Sequence, residues 1–214
     1  MDTVIISGGD INSDFALDFL RRQQNILVIA ADRGLEFCIR HQIRLDHLVG
    51  DFDSVGQEML SELESTVLIH RLKPEKDDSD TQSAVNLAVS LGAEKIWILG
   101  GTGSRLDHVM ANLELLVYGL AQGVKICLLD DHNRITAENR SFTLKREEQF
   151  GRYVSFFPIG SPVEGLTLRG FKYPLDHHFL QVTDTGLTVS NEIIEEEAKV
   201  EFATGKLLMI QSRD

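Results

Sequence analysis

The chain has 214 residues, 43% of them hydrophobic and 25% charged, which are ordinary globular proportions. That length suits one large domain or two small ones. A formal net charge of −12 excludes the basic footprint of a nucleic-acid or anionic-membrane surface, although local Lys and Arg with a metal still suffice for a nucleotide. Residues 1–131 alternate apolar runs with segments of helical period. Strands are predicted at Thr3–Ser7, Ile26–Ala31, Leu45–Val49, Val67–His70, Lys95–Leu99 and Val124–Leu129. Their Val, Ile and Leu lack strict alternation, as in strands covered on both faces. Helices are predicted at Asp14–Arg22, Gly34–His41, Gln57–Leu63, Thr81–Leu91 and Leu106–Ala121, the fourth with Ala84, Val85, Leu87, Ala88 and Leu91 on one stripe. This repetition predicts a Rossmann-like, three-layer α/β domain with a mostly parallel sheet.

From residue 132 the pattern changes. Short strand-like runs fall at Arg134–Glu138, Ser141–Leu144, Tyr153–Phe157, Gly165–Leu168, Leu187–Ser190, Ala198–Ala203 and Leu207–Gln211, divided by Gly and Pro. They predict an all-β sandwich over residues 132–214. No apolar run reaches the ~18–20 residues of a membrane span. The first residues lack the basic-then-apolar order of a signal peptide, so the expected location is the cytoplasm. Cys38 and Cys127 lie in apolar segments without CxxC spacing and are expected to be buried free thiols.

Four polar clusters follow predicted strands of the first domain, on the edge where open α/β sheets bind ligands. They are Asp32-Arg33-Gly34, then Gly50-Asp51-Phe52-Asp53-Ser54, then Lys76 to Thr81, and finally Gly100 to His108. Asp51 and Asp53 stand at i and i+2, which share a side of an extended segment. Paired carboxylates of this kind suit Mg²⁺, which also takes phosphate oxygens. Local roles remain open: Asp53 or Ser54 suits a helix cap, Asp51 a turn, and Ser79 or Asp80 the cap of the fourth helix. If Asp51, Asp53 and Asp80 converge, each pair at ~6 Å and an effective dielectric of ~20 repels by about 3 kcal/mol, and a cation relieves it.

The stretch Gly100–Arg105 is neither a P-loop nor Gly-x-Gly-x-x-Gly. It suits a strand-to-helix turn, or close backbone approach to phosphate at a helix N-terminus. Arg105 carries a fork matched to phosphate oxygens. Asp107 and His108 fall on the next helical turn, where Asp107 suits a cap or a polar substrate. His177-His178 reads as a solvated turn, and Trp97 as core.

In this order the four clusters resemble the thiamin pyrophosphokinase family, with Ala111-Asn112, Phe156-Phe157-Pro158 and Ser190-Asn191-Glu192 as further matches. The resemblance spans nearly the whole chain. It implies an N-terminal α/β ATP-binding domain and a C-terminal β-sandwich that binds thiamin. It further implies a homodimer with active sites at the subunit interface, and Mg²⁺-dependent transfer of the pyrophosphoryl group of ATP to the thiamin hydroxyl. Carried over by residue, Asp51, Asp53 and Asp80 are metal ligands, and with Arg105 they are the catalytic set. Asp32, Arg33, Gly34, Lys76, Asp77, Thr102, Arg105 and His108 lie around ATP. Asp80, Asp107, Ser190 and Asn191 lie near thiamin, the last two from the partner subunit. Arg33 departs from a common Gly, Ser79 replaces Thr, and the aromatic residue that some members stack on thiamin is missing until Phe202. Two other functions fit parts of the pattern: a metal-dependent phosphatase using Asp51 and Asp53, and a non-catalytic thiamin or nucleotide sensor.

Overall fold

The computed structural model describes residues 1–52, 63–72, 78–103 and 105–214. The chain divides into two units, Met1–Asp131 and His132–Asp214.

The first unit runs β1 (Asp2–Ile6), α1 (Ser13–Arg22), β2 (Leu27–Ala31), α2 (Gly34–Arg40), β3 (His47–Gly50), β4 (Leu68–Arg71), α3 (Asp80–Ser90), β5 (Lys95–Leu99), α4 (Leu106–Gln122) and β6 (Lys125–Leu129). The predicted helix Gln57–Leu63 lies outside the described residues except for Leu63. The strands lie in the order β4-β3-β2-β1-β5-β6, and each of these pairings is parallel. Both faces of β1 are buried from Thr3 to Ile6, so the continuous apolar run reflects cover on both sides. β4 differs: it is the outer strand of this order, and Leu68 is 65% exposed.

Local chemistry sets the helix ends. Asn12 accepts the Phe15 N–H at 3.2 Å to cap α1, and Ser79 accepts the Gln82 N–H at 3.1 Å to cap α3. The buried stripe of α3 is Thr81, Ala84, Val85 and Ala88; Leu91, expected on it, is exposed beyond the last turn. Trp97 is half-buried rather than core, edge-on to Phe19 of α1 at 5.2 Å with the Lys95 ammonium 3.9 Å from its ring centre. Cys38 and Cys127 are buried free thiols, and burial pushes Cys38 up to about 12.

The second unit contains β7 (Asn133–Glu138), β8 (Phe142–Lys145), β9 (Tyr153–Pro158), β10 (Val163–Arg169), β11 (Leu175–Leu180), β12 (Glu197–Glu201) and β13 (Leu207–Ser212). β13 pairs antiparallel with β7 and β9, and β11-β10-β12-β8 form an antiparallel sheet. Inward side chains from both sets meet in one core, including Phe156 and Met209 from the first and Leu168 and Val200 from the second.

Two expectations fail here. Leu187–Ser190 is a turn, bracketed by positive φ at Gly186 and Ser190, and the Thr188 hydroxyl donates to the Phe156 carbonyl. Its Leu-Thr-Val-Ser alternation imitates a strand. Conversely, His177 and His178 lie in β11, not in a turn. β11 is an outer strand with a bulge at its pairing, and half of its side chains face solvent, so no apolar alternation marks it.

The start of α2 is a close contact. A Cβ at Gly34 would stand 1.9 Å from the Ile6 carbonyl oxygen. Gly34→Ala must shift backbone, so it should cost about 3 kcal/mol by overpacking and lower Tm by roughly 6–12 °C. A thermal melt within about 1 °C of wild type would contradict the packing described.

Candidate active site

Chain order reverses at β1, which pairs with β2 on one side and β5 on the other. Beyond the carboxyl ends of β1 and β5, at this switch point, lies a crevice. Ser7, Gly8 and Gly9 line it from the turn after β1, and Asp32 and Arg33 from the turn after β2. Ser79, Asp80 and Thr81 open α3 into it; Gly100, Gly101 and Gly103 follow β5, with Arg105, His108 and Asn112 beyond.

The floor consists of two glycine turns in contact. The Ser7 N–H donates to the Leu99 carbonyl at 2.9 Å and the Gly9 N–H to the Gly100 carbonyl at 3.0 Å. A Cβ at Gly9 would lie 2.3 Å from the Gly100 oxygen, and one at Gly103 2.3 Å from the Asp10 nitrogen. Loop-to-loop packing therefore accounts for these glycines, and it also leaves backbone open to a ligand. Asn112, buried in α4, donates to the Gly101 carbonyl at 2.9 Å. Thr102 turns away to Asp130 at the end of β6, 2.6 Å distant. Thr102, expected at ATP, is thus bonded to Asp130, and Gly34, also expected there, is buried against the Ile6 carbonyl. Ser7, Gly8, Gly9, Thr81 and Asn112 were not among the expected site residues. The Gly-Gly pair directly after the first apolar run was the available signal.

The carboxylates gather on one side. Gly50 makes room for the Phe52 ring, which would come within 2.9 Å of a Cβ there. Phe52 is 5% exposed and adopts φ +60, a strained value for a bulky residue. The backbone is thus not extended at Phe52. Asp53, Lys76, Asp77 and the Ser54 cap lie outside the described residues. Asp32 also has positive φ, +49, and its N–H donates to the Val49 carbonyl at 2.9 Å. Burial holds the Asp32 carboxyl above its ordinary range; the Arg33 N–H opposes this, and Asp80 and Asp51 are near enough to raise it further. Among the described residues no three His, Cys, Asp or Glu side chains close around a common point. The donors that do gather are all carboxylate oxygens, which fit a hard divalent cation rather than a soft one.

Arg105 is engaged with Asp107. Its Nη2 lies 2.6 Å from Asp107 Oδ2 and its Nε donates to Oδ1 at 3.2 Å. This arginine holds Asp107 down at about 2. Asp107 does not cap α4, whose N-cap position is Arg105. His108 is exposed at the crevice, and Arg33 stands 3.6 Å from Glu36.

In the second unit, Ser190 is exposed with φ +55, and its N–H donates to the Ser155 hydroxyl at 2.9 Å. Asn191, expected to reach thiamin, is 2% exposed with its amide engaged. It donates to the Tyr173 carbonyl at 2.8 Å and accepts from the N–H groups of Tyr173 at 3.0 Å and Glu192 at 2.9 Å. Asn191 is a clip that holds the segment presenting Ser190. Glu192 continues the clip through Lys172 at 2.8 Å and Arg152 at 2.9 Å.

Comparison with known proteins gives a consistent result. Residues 21–128 match the family described as "Thiamin pyrophosphokinase, catalytic domain", and residues 141–207 match "Thiamin pyrophosphokinase, vitamin B1 binding domain". The chain is 34% identical over 193 residues to a thiamine pyrophosphokinase of Bacillus subtilis (strain 168), covering 89% of each protein. A crystal structure of thiamine pyrophosphokinase from Bacillus subtilis superposes with TM-score 0.86 at 30% identity, covering 100% of both chains. A thiamin pyrophosphokinase family protein from Enterococcus faecalis does so with TM-score 0.83 at 31% identity, also covering 100% of both.

Lys172 first and Arg152 second hold Glu192 below its ordinary value of 4.5. These pairs stabilise the fold above that ordinary value, and the contribution is lost as pH falls through the lower folded value. Glu192→Gln should lower Tm at about pH 7, and its gap to wild type should narrow as pH falls below about 4.5. A gap as wide at about pH 3 as at pH 7 would contradict the pairing.

Proposed function

The chain belongs to the thiamin pyrophosphokinase family, and we propose on that basis that it transfers the pyrophosphoryl group of ATP to the hydroxyl of thiamin, giving thiamin diphosphate and AMP. The observation that carries the site reading is the switch-point crevice. It combines two glycine turns, a helix N-terminus, two arginines and carboxylates in one opening. Residues 1–131 are the catalytic, ATP-binding part, and residues 132–214 bind thiamin and mediate dimerisation.

Asp51, Asp53 and Asp80 would hold Mg²⁺, whose charge offsets that of the phosphates. The chain's own groups do the rest by positioning and charge. The glycine turns let backbone approach the phosphate chain, with Asp32, Arg33, Lys76, Asp77 and His108 around the nucleotide. Arg105 leaves Asp107 for a phosphate oxygen and offsets the charge that develops there. Asp107 then faces the cationic thiazolium of thiamin. The thiamin hydroxyl oxygen bonds to the β-phosphorus, the bond from that phosphorus to the oxygen bridging to the α-phosphate breaks, and AMP leaves. Asp80 accepts the hydroxyl proton. Ser190 reaches thiamin from the partner subunit, with Asn191 holding its segment. Exposed Tyr173, Phe179, Val182 and Ile194 of the second unit support a homodimer. Among the described residues no helix is long and apolar enough to cross a membrane; the cytoplasm, where ATP is at hand, is the proposed location.

Incubation with thiamin, ATP and Mg²⁺ should yield AMP and thiamin diphosphate in equal amounts. Inorganic phosphate alone would point to a phosphatase, and binding without turnover to a sensor. Asp80→Asn should lower kcat by at least about a hundredfold and alter nucleotide affinity far less. Near-normal turnover would remove Asp80 from its role as base.

A further inference from the structure

Ser7 follows β1, and Thr81 stands in the first turn of α3, 74 positions later. Their hydroxyl oxygens are 2.7 Å apart, and each residue is only 7% exposed. Two hydroxyls at this distance share one hydrogen, so one donates and the other accepts. The accepting hydroxyl keeps its own hydrogen. Among the described residues neither side chain has a second partner to take it. A buried donor left unpaired is costly, and both residues line the crevice. An oxygen of a ligand that enters the crevice can accept that hydrogen. The turn that carries Ser7 and the helix N-terminus that carries Thr81 both suit an anionic oxygen there.

We propose that the Ser7–Thr81 hydroxyl pair is a phosphate-binding element, donating its spare hydrogen to a nonbridging oxygen of the ATP phosphate chain. This rests on the ATP-dependent reading above. The pair acts as one donor: one hydroxyl gives its hydrogen to the ligand, and the other orients it by donating the bond between them.

Ser7→Ala, Thr81→Val, their combination and the hydroxyl-preserving Thr81→Ser test this. Binding of a non-hydrolysable ATP analogue with Mg²⁺, and of thiamin, is measured by calorimetry, separately from turnover. Each hydroxyl deletion should weaken the analogue by about tenfold, as for a hydrogen bond to a charged group, and leave thiamin affinity within about twofold. The double variant should lose little more than the weaker single, because coupled groups are not additive, and Thr81→Ser should stay within about twofold of wild type. Unchanged analogue affinity, equal losses for both ligands, or additive losses would each overturn the proposal. If Ser7→Ala does not fold, the contrast between Thr81→Val and Thr81→Ser decides alone. Expected losses in a protein that makes no thiamin diphosphate would sink the transfer reading and leave the pair standing. Normal turnover with unaltered analogue binding would sink only the pair, and a wild type that binds no nucleotide would sink both.

Discussion

No side chain fits where the turn after β1 meets the turn after β5. A Cβ on Gly9 or Gly103 would lie 2.3 Å from backbone of the opposite turn. That contact forms the floor of the crevice, and the parallel sheet supplies its walls. Since β2, β3, β4 and β5 all run parallel to β1 in one sheet, the segments that follow them leave by one edge. Asp32, Asp80 and Arg105 come from three such segments, and distant parts of the chain meet around two glycine turns.

The electrostatics of this edge follow from the same crowding. Asp32 is half-buried and feels both Asp80 and Asp51, so its proton is held more tightly than usual. Gathering carboxylates is unfavourable unless a cation or a proton compensates. Arg105, which lines this crevice with Arg33, is already turned to Asp107. Its charge is exposed and its pair is at the surface, where such bridges hold side chains weakly. An incoming phosphate can compete for it.

The second unit solves a different problem, the presentation of an exposed loop from a small β-sandwich. Asn191 replaces a stretch of strand pairing with its own amide, meeting the backbone of Tyr173 in both directions. Its main chain pairs with Val154 of β9 at 2.8 and 2.9 Å. Ser190 is carried beside this anchor at a positive φ that leaves it facing solvent. The asparagine expected at thiamin thus supports its neighbour through these bonds.

The alternation of apolar runs and helical stripes up to Leu129 was legible in the sequence, and so were the change to short strands afterwards and the motifs that mark the family. These depend on local composition and periodicity, which the chain carries residue by residue. β11 was not legible, because an outer strand that buries one end needs no apolar alternation; Leu187–Ser190 was misread, because its alternation belongs to a hydrogen-bonded turn. The positive φ at Phe52, the diversion of Thr102 to Asp130, the packing duty of Gly34 and the meeting of Ser7 with Thr81 belong to tertiary structure alone. Each depends on the distance between groups remote in sequence or on a backbone angle set by packing. By itself the sequence determined which strands and helices form and which chemical groups follow them. Only the folded sheet decided which of those groups share a crevice, because strand order and close backbone contact are settled between segments and not within them.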